Sequence, residues 1–304
     1  MGRWIMANVE VGTRITLKNV LYLTDFSEPS EMALPFAASV AREYEAKVFA
    51  FHVLIPTAYT YITPELAEAA LEAQEEVAQA NMQRVEAQLS GLSYESVIER
   101  GTGIWPPIEQ AIKDYAIDLI VLGTHGRTGA QRLLLGSVAE EVFRRSHVPV
   151  LTIGPAEHGG AHKAAKFRRV LFATDFSEES LAAAPYAVSM AQENDARLVL
   201  LHVLREPEAA PTDRAAEDAM SSVMFQLHEI VPATAELWCR PEAVVQYGRP
   251  AEQILKVARD READLIVLGI RDAGAFIGAA THLERNTAHK VVVHATCPVL
   301  TVRG

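Results

Sequence analysis

The stretch GTHGRTGAQRLLLGS at 123–137 sets Gly123, Gly126, Gly129 and Gly136 around Arg127 and Arg132, and it ends where a helical pattern begins. Glycines at this density let a ligand approach the backbone without meeting a Cβ, and they permit positive φ angles. Ser137 and Glu140 have the Ser-x-x-Glu spacing of a capping box. The first turn of such a helix carries N–H groups without intrahelical partners, and the helix dipole favours an anion there. The chemistry offered is a phosphate held on backbone amides, with Arg127 and Arg132 adding charge. A plain turn before a capped helix uses the same residues, and spacing alone leaves both readings open. Neither the GxxxxGK phosphate loop nor the GxGxxG dinucleotide fingerprint occurs.

Asp25, in the run Thr24–Asp25–Phe26–Ser27, is a second candidate. Its carboxylate can accept hydrogen bonds from a ribose or a base edge. It can equally fix a turn, with Ser27 as the N-cap of the next helix. His52 and His202 end apolar runs and have no second ligand spaced nearby, so they read as core or edge histidines. His125 is the titratable group inside the glycine loop; with no carboxylate placed in sequence to orient it, a positioning role is expected. No residue is assigned a catalytic role. Nothing marks a strong general base or an arginine finger, so hydrolysis of a bound nucleotide would be slow at most.

The elements that must position these residues are repeated. VLYLTDFSE at 20–28 returns as VLFATDFSE at 170–178, with seven of nine positions identical. FHVL at 51–54 returns as LHVL at 201–204, while DLIVLG at 118–123 and PVLT at 149–152 return unchanged at 264–269 and 298–301. Four matches in one order mean duplication. The 304 residues divide into a first domain at 1–154, with an N-terminal arm at 1–17, a linker at 155–167 and a second domain at 168–304. In the first, strands are expected at 19–24, 48–54, 94–99, 118–122 and 148–153, the third of them polar enough for a sheet edge. Helices are expected at 29–44, 64–89, 106–115 and 137–146, the long one presenting Leu66, Ala69, Ala73, Val77, Ala80 and Leu89 on one face. The second domain repeats this, with a shorter helix near 212–230 and its third strand at 243–247. Near-continuous apolar strands alternating with helices imply an α/β fold with parallel sheets, helices covering both faces. Ligands in such sheets bind beyond the carboxyl ends of the strands, where the winding reverses. Asp25 and the glycine loop both leave such ends.

Composition narrows the partners. A net charge of −11 repels nucleic acid, though it leaves room for a small anion in a local pocket. No apolar run is long enough to span a membrane, and the start lacks a signal peptide's pattern. Cys239 and Cys297 sit in no metal or redox spacing, so a cytoplasmic location is expected.

Gly123, two residues, Gly126, nine residues, then Gly136–Ser137 is the nucleotide motif of the universal stress proteins, and the chain resembles that family in its tandem form. TDFS after the first strand, HV after the second and PVL leading the last are also similar to it. The resemblance implies two doubly wound domains, each a five-stranded parallel sheet in the order 3-2-1-4-5. It implies adenosine near Leu23, Thr24, Asp25 and Val53, ribose and phosphates along Leu122, Gly123, His125 and Gly126, and phosphates at Gly136, Ser137 and Val138. It further implies ATP or a related adenine nucleotide; Mg²⁺ is then expected to bridge the phosphates, and the nucleotide to order the loop at 126–135 and change a surface for protein partners of unknown identity. Last strands pair in this family, so 148–153 and 298–302 are expected to meet within one chain as a pseudo-dimer, with a homodimer of tandem chains also open. In the second half Gly269 is kept, but Asp272 stands at the second glycine, and alignment backward from Pro298 puts Arg285–Asn286 at the Gly-Ser pair. A carboxylate facing phosphate oxygens is costly at low dielectric. The second half is therefore expected not to hold ATP in the family's manner, serving as structure or taking another ligand. The whole reads as a stress-response protein with one regulatory ATP in its N-terminal half. The rivals are a scaffold or small-ligand module without nucleotide and, on weaker grounds, an ATP-consuming enzyme.

Overall fold

The computed structural model describes residues 14–55, 64–124, 135–154, 166–205, 213–233, 235, 239, 241–271 and 287–304. The first half runs β1 (Asn19–Leu23), α1 (Glu28–Glu31), α2 (Leu34–Tyr44), β2 (Lys47–Leu54), α3 (Pro64–Gln88), β3 (Tyr94–Arg100), α4 (Trp105–Asp114), β4 (Leu119–Gly123), α5 (Ser137–Arg145) and β5 (Val150–Ile153). The second runs β6 (Arg169–Ala173), α6 (Glu178–Leu181), α7 (Ala184–Glu193), β7 (Arg197–Leu204), α8 (Asp213–Ile230), β8 (Glu242–Tyr247), α9 (Pro250–Asp260), β9 (Leu265–Ile270), α10 (Thr287–His294) and β10 (Val299–Arg303).

The strands form one ten-stranded sheet, β3-β2-β1-β4-β5-β10-β9-β6-β7-β8. Each half thus has the order 3-2-1-4-5 with parallel neighbours. The two halves do not keep separate sheets: β5 and β10 join them antiparallel, with Val299 opposite Thr152, Leu300 opposite Leu151 and Thr301 opposite Val150. The Thr152 hydroxyl donates to Val299 O at 3.1 Å and the Thr301 hydroxyl to Val150 O at 3.3 Å. Two strand edges that would otherwise be open are closed against each other.

Alternate residues of the strands feed two cores. Val20, Tyr22, Leu119 and Val121 pack with α2, α3, α7 and α8 on one face. Leu21, Leu23, Ile120 and Leu122 pack with α4, α5, α9 and α10 on the other. Both cores run through both halves. On the first face the Tyr44 and Ser189 hydroxyls are 2.9 Å apart and Phe36 stacks on Phe167, while Ile15 N donates to Ser189 Oγ at 3.2 Å. Arg14 pairs with Glu193 at 3.2 Å, so residues read as the end of an arm tie the halves together.

Two helical expectations change. The helix expected at 29–44 breaks after Glu31, because Pro35 near the start of α2 has no N–H for the preceding turn. Most of the apolar face expected on the long helix is exposed: Leu66 and Val77 are 59% and 61% exposed, and of that set Leu89 alone is buried. Ala78, Met82, Val85 and Leu89, a stripe at helical spacing, face the core instead. The many alanines of α3 gave the wrong face, since a methyl carries little directional signal.

Arg303 at the end of β10 crosses the seam. Its guanidinium donates to Ser146 O at 2.8 Å, Phe143 O at 3.0 Å and Arg144 O at 3.1 Å, the carbonyls that end α5, and to Arg271 O at 3.2 Å. A cation there complements the negative end of the helix dipole. The matching position in the first half is Gly154, which lies against Ala295 O and offers no such clamp.

Arg303→Ala is expected to lower unfolding free energy by about 1.5–3 kcal/mol in urea titrations, the worth of hydrogen bonds from a charged donor. Met82→Ala should cost about 2–5 kcal/mol as a core cavity, whereas Val77→Ala should stay within about 0.5 kcal/mol as a surface change.

Candidate functional site

β1 and β4 are neighbours, and the segments leaving their carboxyl ends border one cavity of about 260 Å³. Leu23, Thr24, Asp25, Val53, Leu122, Gly123, Gly136, Ser137 and Val138 all line it. His125 and Gly126 lie outside the described residues, as do Arg127, Arg132 and, in the second half, Asp272, Arg285 and Asn286. Phe51, Thr124, Ile104 and Ile108 line the cavity too and were missed. Ile104 is the residue before α4 and Ile108 lies on it; the Pro106–Pro107 pair marked that helix start but not what it would face.

The turn after β1 is closely tied. Ser27 N and the Ser27 hydroxyl donate to Asp25 Oδ1 at 3.0 and 2.5 Å, and Ser27 caps α1 through Ser30 N. Phe26 N donates to Thr24 Oγ1 at 3.0 Å, and Thr24 Oγ1 is 3.1 Å from Ser30 Oγ. Within this net Phe26 takes φ +62°, a left-handed conformation that is strained for a bulky residue. Its ring lies 4.4 Å from that of His52, whose Nδ1 is 2.7 Å from Thr24 O. The Tyr22 hydroxyl donates to Ser30 O at 2.8 Å, and burial pushes it up to about 12, so it stays protonated. Asp25 therefore has the turn-fixing role and lines the cavity as well.

The other wall corrects two details. Gly136, at φ −61° and ψ 149°, is the N-cap of α5, and no side chain caps the helix. Ser137 is the first helical residue, so the capping-box reading of Ser137 and Glu140 does not hold. The Glu140 amide instead donates to Gly136 O at 2.8 Å, as the first intrahelical bond. The amides of Ser137, Val138 and Ala139 have no earlier turn to donate to. Gly136 N donates to Thr124 O at 2.7 Å, which pins the helix start to the end of β4.

Gly123 is not at positive φ; among the described glycines Gly91 and Gly248 are. A Cβ on Gly123 would overlap the Pro29 carbonyl. Its partner Gly269 lies equally close to the Glu179 backbone. This first glycine makes room for the chain after β1, a need the second half shares at Gly269.

The second half has a cavity at the equivalent place, about 380 Å³, lined among others by Thr174, Asp175, Leu201, Val203, Gly269 and Thr287. Burial works against the Asp175 charge, but the Ser177 hydroxyl and amide, with Ser180 and the Arg271 charge, hold its carboxyl below the usual range. Among the described residues no group of three or more His, Cys, Asp or Glu could hold a metal.

The model of the universal stress protein family matches residues 16–154 and again 166–303. The chain belongs to the universal stress protein family. A universal stress protein of Mycolicibacterium smegmatis is 26% identical over 298 residues, covering 93% of this chain and 96% of that one. One from Methanocaldococcus jannaschii is 34% identical over 139 residues, 45% of this chain and 81% of its own. Among solved structures, the crystal structure of a universal stress protein from Archaeoglobus fulgidus aligns over 96% of this chain and 98% of that chain, with TM-score 0.67 and 23% identity, a likeness of fold. This universal stress protein is thus a tandem member with two family units in one chain.

Gly123→Ala and Gly269→Ala should each destabilise the protein by about 1–3 kcal/mol through overpacking, read as a lower urea midpoint. Equal effects in the two halves are the signature expected of packing rather than of ligand contact.

Proposed function

We propose that the N-terminal half binds ATP as a regulatory ligand of a stress-response protein acting in the cytoplasm. The observation that carries this reading is the joining of two unlike walls in one cavity. Asp25 and Val53 stand on one side, and the start of α5 at Gly136–Ser137 stands on the other. The apolar side chains of Leu23, Val53, Ile104 and Leu122 suit a flat base. Asp25 is an acceptor for ribose hydroxyls. The α5 amides and the helix dipole suit phosphate oxygens. A cavity of about 260 Å³ takes the nucleoside end, and the phosphates would lie along its open mouth at Ser137. An Mg²⁺ would be held chiefly by phosphate oxygens and water, as this ion usually is, with Asp25 the lining carboxylate. On this reading the nucleotide acts as a state marker rather than as fuel.

Isothermal titration tests this, and Gly136→Asp is the informative variant. Asp is a favoured N-cap, so the helix should stay folded. Its carboxylate would then take the amides that a phosphate needs. ATP affinity should fall at least about 100-fold, since like charges would meet at short range. Unchanged ATP affinity in this variant, or no adenine nucleotide binding in the wild type, would remove the reading.

A further inference from the structure

The start of α5 walls the first cavity, and the end of α5 is held by the other half of the chain. This helix has nine residues, a length that is marginal for a helix standing alone in water. Its last carbonyls have no donors within the helix. Arg303 of β10 supplies donors from across the seam, to Phe143 O at 3.0 Å, Arg144 O at 3.1 Å and Ser146 O at 2.8 Å. The guanidinium is anchored in its own half by its bond to Arg271 O at 3.2 Å, at the end of β9. Arg144 and Arg145 also stand in the last turn of α5, and Arg145 pairs with Glu141 at 3.5 Å. The Phe143 ring lies edge-on to His289 of α10, with centroids 6.1 Å apart.

Duplication does not account for this clamp. PVLT at 149–152 matches PVLT at 298–301, so Gly154 is the counterpart of Arg303, and Ala295 is the counterpart of Ser146. A Cβ on Gly154 would stand 3.3 Å from Ala295 O, so the backbones are equally placed. Glycine has no guanidinium to offer there. The chain therefore clamps the helix that follows the complete glycine motif, and from the matching position it gives α10 nothing of the kind.

We propose that Arg303 is a positioning residue for the first site, through which the C-terminal half sets how tightly the N-terminal half holds the phosphate end of a nucleotide. The proposal rests on the reading of the first cavity as an ATP site. Two effects act together. A cation at the carboxyl end of α5 offsets the negative end of the helix dipole and leaves the amino end more attractive to an anion. Fixing that carboxyl end also places the amides of Ser137, Val138 and Ala139 before a phosphate arrives, so less ordering is left to the binding step. Leu23, Asp25 and Val53, the residues suited to the nucleoside, come from the ends of β1 and β2 and lie outside the reach of the clamp. Coupling of this kind is reciprocal, so a phosphate at Ser137 tightens the seam in return.

Titration of the full chain with ATP and with adenosine, in wild type, Arg303→Gln and Arg303→Lys, tests the proposal. Arg303→Gln should weaken ATP by about five- to tenfold and leave adenosine within about twofold of wild type, the loss being that of a partly buried cation at a helix end. Unchanged adenosine binding also shows that the variant is folded. Arg303→Lys keeps the charge without the planar fork and should fall between the two. ATP, but not adenosine, should slow hydrogen exchange of the β10 amides in wild type, and this slowing should be lost in Arg303→Gln. ATP affinity that ignores Arg303→Gln, or ATP and adenosine weakened alike, would overturn the proposal while the ATP site stands. No ATP binding by the wild type would remove the reading of the first site, and this proposal with it.

Discussion

The chain reverses its winding at β1, and the cavities depend on that reversal. From β1 the sheet grows through β2 to β3 with α2 and α3 on one face; it then returns to β4 and β5 with α4 and α5 on the other. Right-handed crossovers in opposite directions force helices to opposite faces. The segments leaving β1 and β4 must therefore part, and the gap between them is the crevice. Every residue at the first site is placed by this: Asp25 by the turn after β1, Val53 by the end of β2, Gly136 by its bond to Thr124 after β4. Duplication copies the reversal at β6 and so copies the crevice.

Joining the halves edge to edge adds a second constraint. Antiparallel pairing of β5 with β10 relates the halves by a local twofold axis near Leu151 and Leu300, and the hydroxyls of Thr152 and Thr301 obey it. Arg303 breaks it. Its clamp holds the carboxyl end of α5, whose amino end forms the first cavity's wall, and it also bonds the carbonyl of Arg271 at the second cavity. Gly154 gives the first half no equivalent. The two sites are thus built on symmetric scaffolds, with Arg303 an asymmetric tie between them.

Much of this was legible from residues. The five strands expected in the first half lie within two residues of those observed, because strands buried on both faces must be apolar almost throughout. The polar third strand was an edge strand for the same reason. The face of α3 was not legible: Leu66 and Val77 are as apolar as Met82 and Val85, and only the angle at which the helix meets β2 and β3 decides which pair is buried. The first glycine of the motif was legible as a requirement but not as a reason. Its missing side chain admits the Pro29 carbonyl, a contact between segments nearly a hundred residues apart.

Composition and spacing by themselves determined the duplication, the α/β alternation and the chemical types gathered near Asp25 and Gly136, since these follow from periodicity and from which atoms each side chain carries. Tertiary structure alone decided that Gly136 rather than Ser137 caps α5, that Ile104 and Ile108 close the first cavity from α4, and that the second cavity stays open behind an altered mouth. The reason is that a cap is a matter of backbone dihedrals, and a cavity is a matter of what distant segments leave unfilled. Neither is carried by any one stretch of chain.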